Sequence, residues 1–130
     1  MKYRIATHKD HADIEDVIAS TGYYPTVDAS LMDGTYIVAE NQHGDLEGCI
    51  WVMHFGKMAY IDYLAVRPAL QHSGMGVRLL IKAREVLKRR GVKYVRCCIH
   101  LANTEALRLV PAFGGITHAP YAMAHAYLGA

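Results

Sequence analysis

The chain has 130 residues, of which 52% are hydrophobic and 20% are charged, as is typical of a globular protein. This length suits one hydrophobic core, so we predict a single domain over residues 1–130. The net charge of +2 is too small to indicate nucleic acid as a partner. Because no apolar run approaches the roughly 18 residues of a membrane span, no membrane partner is expected either.

Three cysteines, Cys49, Cys97 and Cys98, indicate reduced thiols. Their number is odd and all three occur in strand-like segments, which favours a cytoplasmic protein. The first residues alternate like a strand and lack the apolar core of a signal peptide. Cys97 and Cys98 are neighbours in a strand, so their side chains point to opposite faces and cannot easily bind one ion. We therefore expect no metal site.

The N-terminal half of the chain predicts one clear helix and four strands. Polar and apolar residues alternate over 2–6, and a helical period over 10–20 ends just before a glycine. The segment 23–33 has no clear period, although a short helix over 26–32 is compatible with it. Alternation and turn residues then predict a three-strand meander over 35–40, 46–55 and 58–66.

The C-terminal half predicts two helices and further strands. The strongest helix covers 74–90, where apolar residues form one stripe and charged residues the opposite face. A strand over 92–99 and a short helix over 103–110 come next, and Pro111 should stop that helix. One or two last strands are predicted within 116–128. This order predicts an α+β fold with a sheet of mixed strand directions.

The most informative segment joins the meander to the strongest helix. The strand ends in Leu-Ala-Val-Arg-Pro at 64–68, the loop is Gln-His-Ser-Gly-Met-Gly at 71–76, and the helix begins Val-Arg-Leu-Leu at 77–80. The two glycines let backbone N–H groups turn inward where a side chain would block them. The helix adds unpaired N–H groups and the positive end of its dipole. Together these features predict an anion site suited to a pyrophosphate.

Other phosphate-binding loops fit less well. No Gly-Lys-Ser/Thr follows the loop, which excludes the P-loop of nucleotide hydrolases. The dinucleotide fingerprint requires a small residue three positions after Gly76, where Leu79 stands, and it opens an N-terminal βαβ unit. The remaining alternative is a plain strand-to-helix turn without a ligand.

With its strand, proline and helix in register, the Gln-x-x-Gly-x-Gly loop resembles the acetyl-CoA loop of the GNAT superfamily of N-acetyltransferases. The resemblance implies a GNAT-like α+β fold, in which a mixed, mostly antiparallel sheet has splayed central strands and helices on both faces. It also implies transfer of an acetyl group from acetyl-CoA to an amine, by direct attack in a ternary complex and without a metal. A non-catalytic acyl-CoA-binding module of the same fold is the alternative.

The resemblance further implies which residues bind acetyl-CoA. Loop amides would hold the pyrophosphate, while the main chain of the strand end would pair with the pantetheine arm and polarise the thioester carbonyl. Arg78 and Lys82 are one helical turn apart and either meet phosphate charge or form a solvated helix face. Asn103 is either a polar contact to the cofactor or a helix N-cap. The predicted cofactor-binding residues are Leu64, Ala65, Val66, Gln71, His72, Ser73, Gly74, Met75, Gly76, Val77, Arg78 and Asn103.

Acetyl transfer requires a neutral amine, so a base must remove a proton from an amine whose pKa is about 10. Asp62 is the leading candidate because it precedes Leu64 by two residues, where many family members carry a glutamate. The alternative is that Asp62 is an exposed carboxylate of the strand with no part in the chemistry. His54 is an alternate base, on the expectation that it faces the same cleft. His72 is a third candidate, although a phosphate loop is a poor place for a base.

The helix after the splayed strand usually supplies a tyrosine that protonates the leaving thiolate. Val110 occupies that position here, so this general acid is absent. Tyr121 and Tyr127, in the last predicted strands, are candidate substitutes. The absence of the usual tyrosine favours the non-catalytic alternative, whereas the intact loop and Asp62 favour the enzyme.

The acceptor is a small-molecule or protein amine that the sequence does not identify. The segments 23–33 and 103–121 flank the cleft in folds of this kind. Tyr23, Tyr24 and Tyr36 either line an acceptor pocket or are half-buried aromatic residues. A monomer and a homodimer are both compatible with the sequence, because an exposed terminal strand can pair with a second copy.

Overall fold

The computed structural model describes residues 1–24, 27–98, 107–108, 110–111, 116–118 and 123–127, with the backbone alone for 31, 98, 116–118 and 123–127. The two long helices are α1 (His11–Thr21) and α2 (Met75–Arg89). The strands are β1 (Lys2–Ile5), β2 (Thr35–Glu40), β3 (Leu46–Phe55), β4 (Met58–Val66), β5 (Tyr94–Cys98), β6 (Ile116–His118) and β7 (Met123–Tyr127).

The described strands form one sheet in the order β1-β2-β3-β4-β5-β7-β6. All neighbouring strands run antiparallel except β4 and β5, which are parallel. Parallel strands require a long crossover, and α2 provides it. The prediction of an α+β fold with a mixed, mostly antiparallel sheet is confirmed.

The two long helices cover opposite faces of the sheet, because successive side chains of a strand point to opposite sides. Ile50 and Val52 of β3 pack with the buried residues of α2. Cys49 and Trp51, which alternate with them, pack with the buried residues of α1. We call these two surfaces the α2 face and the α1 face.

An ion-pair network fastens the start of α1 to the edge of the sheet. The Arg4 guanidinium donates to both carboxylate oxygens of Asp10, at 2.8 and 2.9 Å, and also to Glu40. The Asp10 carboxylate accepts a further hydrogen bond from the Thr7 amide at 2.7 Å. Arg4 above all, and Thr7 after it, outweigh the effect of burial and hold the pKa of Asp10 below its usual value. The network therefore sets where α1 begins.

The short helix that the sequence allows over 26–32 is a single 3-10 turn, Ala29–Leu31, among the residues that are described. The Asp28 carboxylate accepts from the Ser30 amide at 3.1 Å and from the Ser30 hydroxyl, and such local bonds compete with a continuing helix.

Two smaller differences concern the last elements. The strand predicted over 92–99 begins at Tyr94, because the Val92 amide donates to the Leu87 carbonyl at 3.0 Å and closes the end of α2 instead. Pro111 is itself helical, and the residues that follow it, 112–115, lie outside the described ones. Residues 103–106 of the predicted helix lie outside the described residues.

Candidate active site

The loop between β4 and α2 is held from within. The Leu70 amide donates to the Arg67 carbonyl at 2.8 Å, and the Gln71 amide donates to the Pro68 carbonyl at 3.3 Å. The Ser73 hydroxyl donates to the Leu70 carbonyl. These bonds hold the loop backbone in one shape, so little reordering would oppose the binding of an anion.

The second half of this loop presents backbone N–H groups. His72 and Gly74 have positive φ values of +66° and +87°, which turn neighbouring amides to one side. The amides of residues 73–77 donate to no acceptor within the described part of the chain. Those from Met75 onward are the donors that the first turn of any helix leaves unpaired. Together with the helix dipole they give this end of α2 the positive potential that binding of an anion requires.

One of the two predicted cations lies at this loop. A Cβ atom built on Gly74 would be 3.6 Å from Nη1 of Arg78, so this guanidinium lies beside the loop backbone. Nζ of Lys82 lies 3.6 Å from a carboxylate oxygen of Glu85, farther along the helix. Arg78 is therefore the cation placed to meet a phosphate.

Gly48, which the sequence did not single out, lets α2 approach the sheet. A Cβ atom there would lie 3.0 Å from both Leu79 Cδ1 and Met75 Sδ, and 3.1 Å from the Ala65 carbonyl oxygen. A larger residue would require these neighbours to shift by a few tenths of an ångström. Gly48 thus allows the start of α2 to pack closely against the sheet.

Strands β4 and β5 separate halfway along β4. Their parallel pairing runs from Met58 and Tyr94 to Ile61 and Cys97, and the described residues of the two strands form no later pair. β4 nevertheless continues to Val66 on its other side, where it pairs with β3. The edge of β4 over 62–66 is therefore open towards β5, which leaves a fork whose open end leads to the loop.

Backbone polar groups of β4 point into this fork. The Arg67 amide donates to the Glu47 carbonyl at 2.9 Å on the β3 side, so alternation turns Val66 to the open side. Consistent with that, the Val66 carbonyl accepts from the Gln71 side chain at 3.1 Å. The Leu64 carbonyl, on the same side, accepts from the Tyr24 hydroxyl at 3.4 Å. Of the three main-chain positions predicted to contact pantetheine, Leu64 and Val66 are at the open edge, whereas Ala65 is paired with Cys49 and faces β3.

A bulge in β4 places two consecutive side chains on the α1 face. Tyr63 has a φ of +51°, and the β3–β4 register shifts at this point. Asp62 lies opposite Trp51, and Tyr63 also packs in the α1-face cluster. The Tyr63 amide donates to the Asp62 carboxylate at 2.7 Å, which fixes the carboxylate where β4 and β5 part.

The environment of Asp62 suits a proton acceptor. Burial raises the pKa of the Asp62 carboxyl, and the hydrogen bond from the Tyr63 amide offsets part of that effect. A carboxylate with a raised pKa is a stronger base than one in water.

Aromatic rings surround this carboxylate. The rings of Tyr24 and Tyr63 are 5.1 Å apart, and those of Trp51 and Tyr63 meet edge to face at 6.1 Å. The Trp51 indole donates to the Asp33 carbonyl at 2.8 Å and so ties the segment before β2 to the sheet. Together these residues form an aromatic wall beside the fork.

The register between β3 and β4 explains why the sequence predicted only some residues of this aromatic wall. Tyr24 was among the tyrosines assigned to an acceptor pocket, but Trp51 and Tyr63 were not. Nothing in local sequence states that Trp51 pairs with Asp62, because that pairing depends on the length of the hairpin and on the bulge.

The structure does not bring His54 and Asp62 together. His54 is paired with Ala59, a residue of the α2-face cluster, so its side chain belongs to the face opposite Asp62. The expectation that His54 faces the same cleft is therefore not met, because side chains alternate along β3 and β4. His72 is exposed and lies in the loop between β4 and α2.

Val110 is helical and only 7% exposed, so its position offers no phenol. Two other predicted residues, Asn103 and Tyr121, lie outside the described residues, and Tyr127 is described by its backbone alone. Burial raises the pKa of the Cys49 thiol to about 12, which makes it a poor nucleophile.

The described ranges contain neither a metal-binding group of side chains nor a helix that could span a membrane. No three or more His, Cys, Asp or Glu side chains there are grouped as a metal ion would require. Neither long helix of that part of the chain, nor any other helix in it, has the length and apolar character needed to cross a membrane.

A loop of unpaired amides at a helix start, beside two parallel strands that part, is the arrangement that the resemblance to GNAT acetyltransferases implies. The family described as acetyltransferase (GNAT) family matches residues 4–114, which is most of the chain. The chain belongs to this family. No curated protein sequence matches it significantly.

Solved structures show the same fold over nearly the whole chain. The yncA protein of Salmonella typhimurium, solved with its cofactor acetyl-CoA, has a TM-score of 0.82 and 19% identity, and the match covers 100% of this chain and 95% of that one. A GNAT-family acetyltransferase of Staphylococcus aureus Mu50 has a TM-score of 0.81 and 13% identity, covering 98% and 100%. N-acetylglutamate synthase of Neisseria gonorrhoeae, complexed with coenzyme A and L-arginine, has a TM-score of 0.80 and 18% identity, covering 99% and 33%.

Proposed function

We propose that this protein transfers the acetyl group of acetyl-CoA to the nitrogen of an amine, in a ternary complex and as one domain over residues 1–130. The observation that carries the proposal is the fork between β4 and β5, which has unpaired loop amides at one end and Asp62 at the other. The complex of the yncA protein with acetyl-CoA supports this choice of cosubstrate.

The chain offers a partner for each part of acetyl-CoA. The amides of residues 73–77 and the Arg78 guanidinium suit the pyrophosphate. The outward-facing backbone of Val66 suits the amides of pantetheine, as in strand addition. Gln71 supports that backbone through its bond to the Val66 carbonyl. The thioester would then lie near Leu64, where β4 and β5 part.

The residues at the fork divide the chemistry between them. Acetyl-CoA supplies an activated acyl group, and the acceptor nitrogen must reach it without its extra proton. Asp62 takes that proton, directly or through a water. The Leu64 amide, on the open edge, donates to the carbonyl oxygen of the acyl group as negative charge develops there. No covalent intermediate with the protein is needed.

Tyr24 supplies a hydroxyl where the usual tyrosine is missing. Its hydroxyl lies 3.4 Å from the Leu64 carbonyl, at the point where sulfur would leave. Burial foremost, and then the nearby Asp62 charge, raise the pKa of Tyr24, so the phenol stays protonated and can donate a hydrogen bond to the thiolate. The Tyr24 hydroxyl thus replaces part of the function of the tyrosine that is missing at position 110.

A non-catalytic acyl-CoA-binding module is the second candidate. It is favoured by Val110, because a buried valine cannot protonate a leaving group. Such a module would retain the loop and the fork but would not need a half-buried carboxylate at the fork.

The two candidates differ in a simple measurement. Calorimetry with acetyl-CoA tests the loop and fork, and thiol release with small amines, amino acids and lysine-containing peptides tests the reaction. The enzyme should bind acetyl-CoA and release CoA in the presence of at least one acceptor class. Binding without release across all classes would support the module, and no binding would overturn both.

A further inference from the structure

Half of the α1 face is open. The half nearer the β3–β4 hairpin carries aromatic side chains that the helix does not cover: Phe55, Tyr60 and Tyr94 are 62%, 41% and 53% exposed. Register places Phe55 and Tyr60 on the same face as Trp51. This surface continues along β4 from Asp62, so an acceptor held at that carboxylate can contact it.

One cation lies on this surface. Arg96 of β5 is paired with Tyr60 of β4. Its neighbours Val95 and Cys97 pack in the α2-face cluster, so Arg96 points to the α1 face. The residue is exposed, and its guanidinium has no ion pair or hydrogen bond with any residue that the structure describes.

Arg96 is close enough to Asp62 to act on the same small molecule. Asp62 is two residues beyond Tyr60 on β4, the partner of Arg96. Positions two apart on a strand are separated by about 6.6 Å and adjacent strands by about 4.8 Å, which gives about 8 Å between the two Cα atoms. The long arginine side chain and the carboxylate can converge across that gap.

We propose that the acceptor carries an anionic oxyacid group beside its amine, as an amino acid or an aminophosphonate does, and that Arg96 binds this group. This inference rests on the proposed acetyl transfer, in which Asp62 receives the amine. Guanidinium recognises carboxylate and phosphonate through paired hydrogen bonds. It also repels an acceptor that carries positive charge alone, so it discriminates in both directions.

The test compares acceptors that differ only in the acid group. The pairs are phenylalanine with phenethylamine and leucine with 3-methylbutylamine, and 1-amino-2-phenylethylphosphonate is the phosphonate arm. CoA release gives kcat/KM for each. We expect the acid member of each pair to be favoured about tenfold, as one charge-assisted contact allows. Comparison of kcat/KM for the phosphonate with that for phenylalanine shows whether a phosphonate or a carboxylate fits the site better.

Variants separate the role of Arg96 from the intrinsic reactivity of the amines. Arg96→Gln should remove the preference mainly through KM of the acid member, and Arg96→Lys should keep part of it. Arg84→Gln is the matched control, because Arg84 is an exposed arginine of α2 and should leave the preference unchanged. Circular dichroism checks that each variant is folded.

Binding to the CoA-saturated protein, measured by calorimetry, distinguishes the two proposals. Binding that favours the acid members and depends on Arg96, without CoA release, would support the anion site and overturn the acetyl transfer. CoA release with equal kcat/KM within each pair, unchanged by Arg96→Gln, would support the transfer and overturn the anion site. A loss of preference in Arg84→Gln as large as in Arg96→Gln would also overturn it.

Discussion

The Tyr24 hydroxyl and the Leu64 carbonyl oxygen are 3.4 Å apart, although 40 positions separate these residues in the chain. The contact joins the segment after α1 to the open edge of β4. It brings a phenol to the place where the leaving sulfur is expected, on the side of the sheet that also carries Asp62.

Tyr24→Phe should lower kcat about tenfold and leave KM for acetyl-CoA nearly unchanged, because the hydroxyl would stabilise the leaving thiolate rather than bind the cosubstrate. Steady-state kinetics with a fixed acceptor measures both constants. Tyr3→Phe is the control, since Tyr3 packs on the α2-face cluster, away from the fork. Equal kcat in wild type and Tyr24→Phe would remove Tyr24 from the proposed chemistry.

Asp62→Asn should lower kcat/KM about 100-fold, because an amide cannot accept the proton of the amine. In the wild type, kcat/KM should rise with pH through an ionisation above the ordinary range of an aspartate, since burial raises the pKa of Asp62. A pH profile of both proteins tests this. Asp45→Asn, in the exposed β2–β3 turn, should behave as wild type.

Asp62→Asn, which should lower activity, should instead raise the free energy of unfolding at neutral pH. The pKa of Asp62 is higher in the folded state than its ordinary value of 3.8, so folding disfavours the ionised form. Its contribution to stability is complete below the unfolded pKa and is lost as pH rises through the folded pKa. Asp62→Asn should therefore match wild type in acid and have a higher free energy of unfolding at pH 7. Urea titrations at both pH values would detect this, and a less stable variant at pH 7 would contradict it.

Gly74→Ala should weaken acetyl-CoA binding at least tenfold, because the added Cβ disturbs a left-handed residue of the anion loop. Gly44→Ala is a matched control. Gly44 has a φ of +84° against +87° for Gly74, but it lies in the β2–β3 turn. Both variants should lose about 1 kcal/mol of stability, from the cost of the left-handed conformation. Calorimetry should show weaker binding for Gly74→Ala alone, and equal losses of affinity would count against the loop.

Asp10→Asn should destabilise the protein at neutral pH by about 1–3 kcal/mol, because it breaks the paired bonds from Arg4 to the start of α1. The pKa of Asp10 is lowered by folding, so its contribution is present above the unfolded pKa and is lost as pH falls through the folded pKa. The difference between the two proteins in urea titrations should shrink in acid. Asp13→Asn, at an exposed position of α1, should change little.

Much of the fold was readable in advance, because its signals are local. The strands over 35–40, 46–55 and 58–66 agree with β2, β3 and β4 at both ends, since alternation and turn residues mark them. The sequence left 26–32 open, because the short side chain of Asp28 forms a local turn there that no periodicity reports.

Sequence by itself determined the anion loop, the order of the elements and the carboxylate at position 62. Each depends on residues close together in the chain, where glycine, helix start and strand period act directly. Tertiary structure alone decided which groups meet at the fork. Strand register and the bulge at Tyr63 turn Asp62 towards Trp51 and away from His54, and they bring Arg96 alongside. A shift of one residue in that register would turn each of these side chains to the other face of the sheet. No local pattern in the sequence encodes the register.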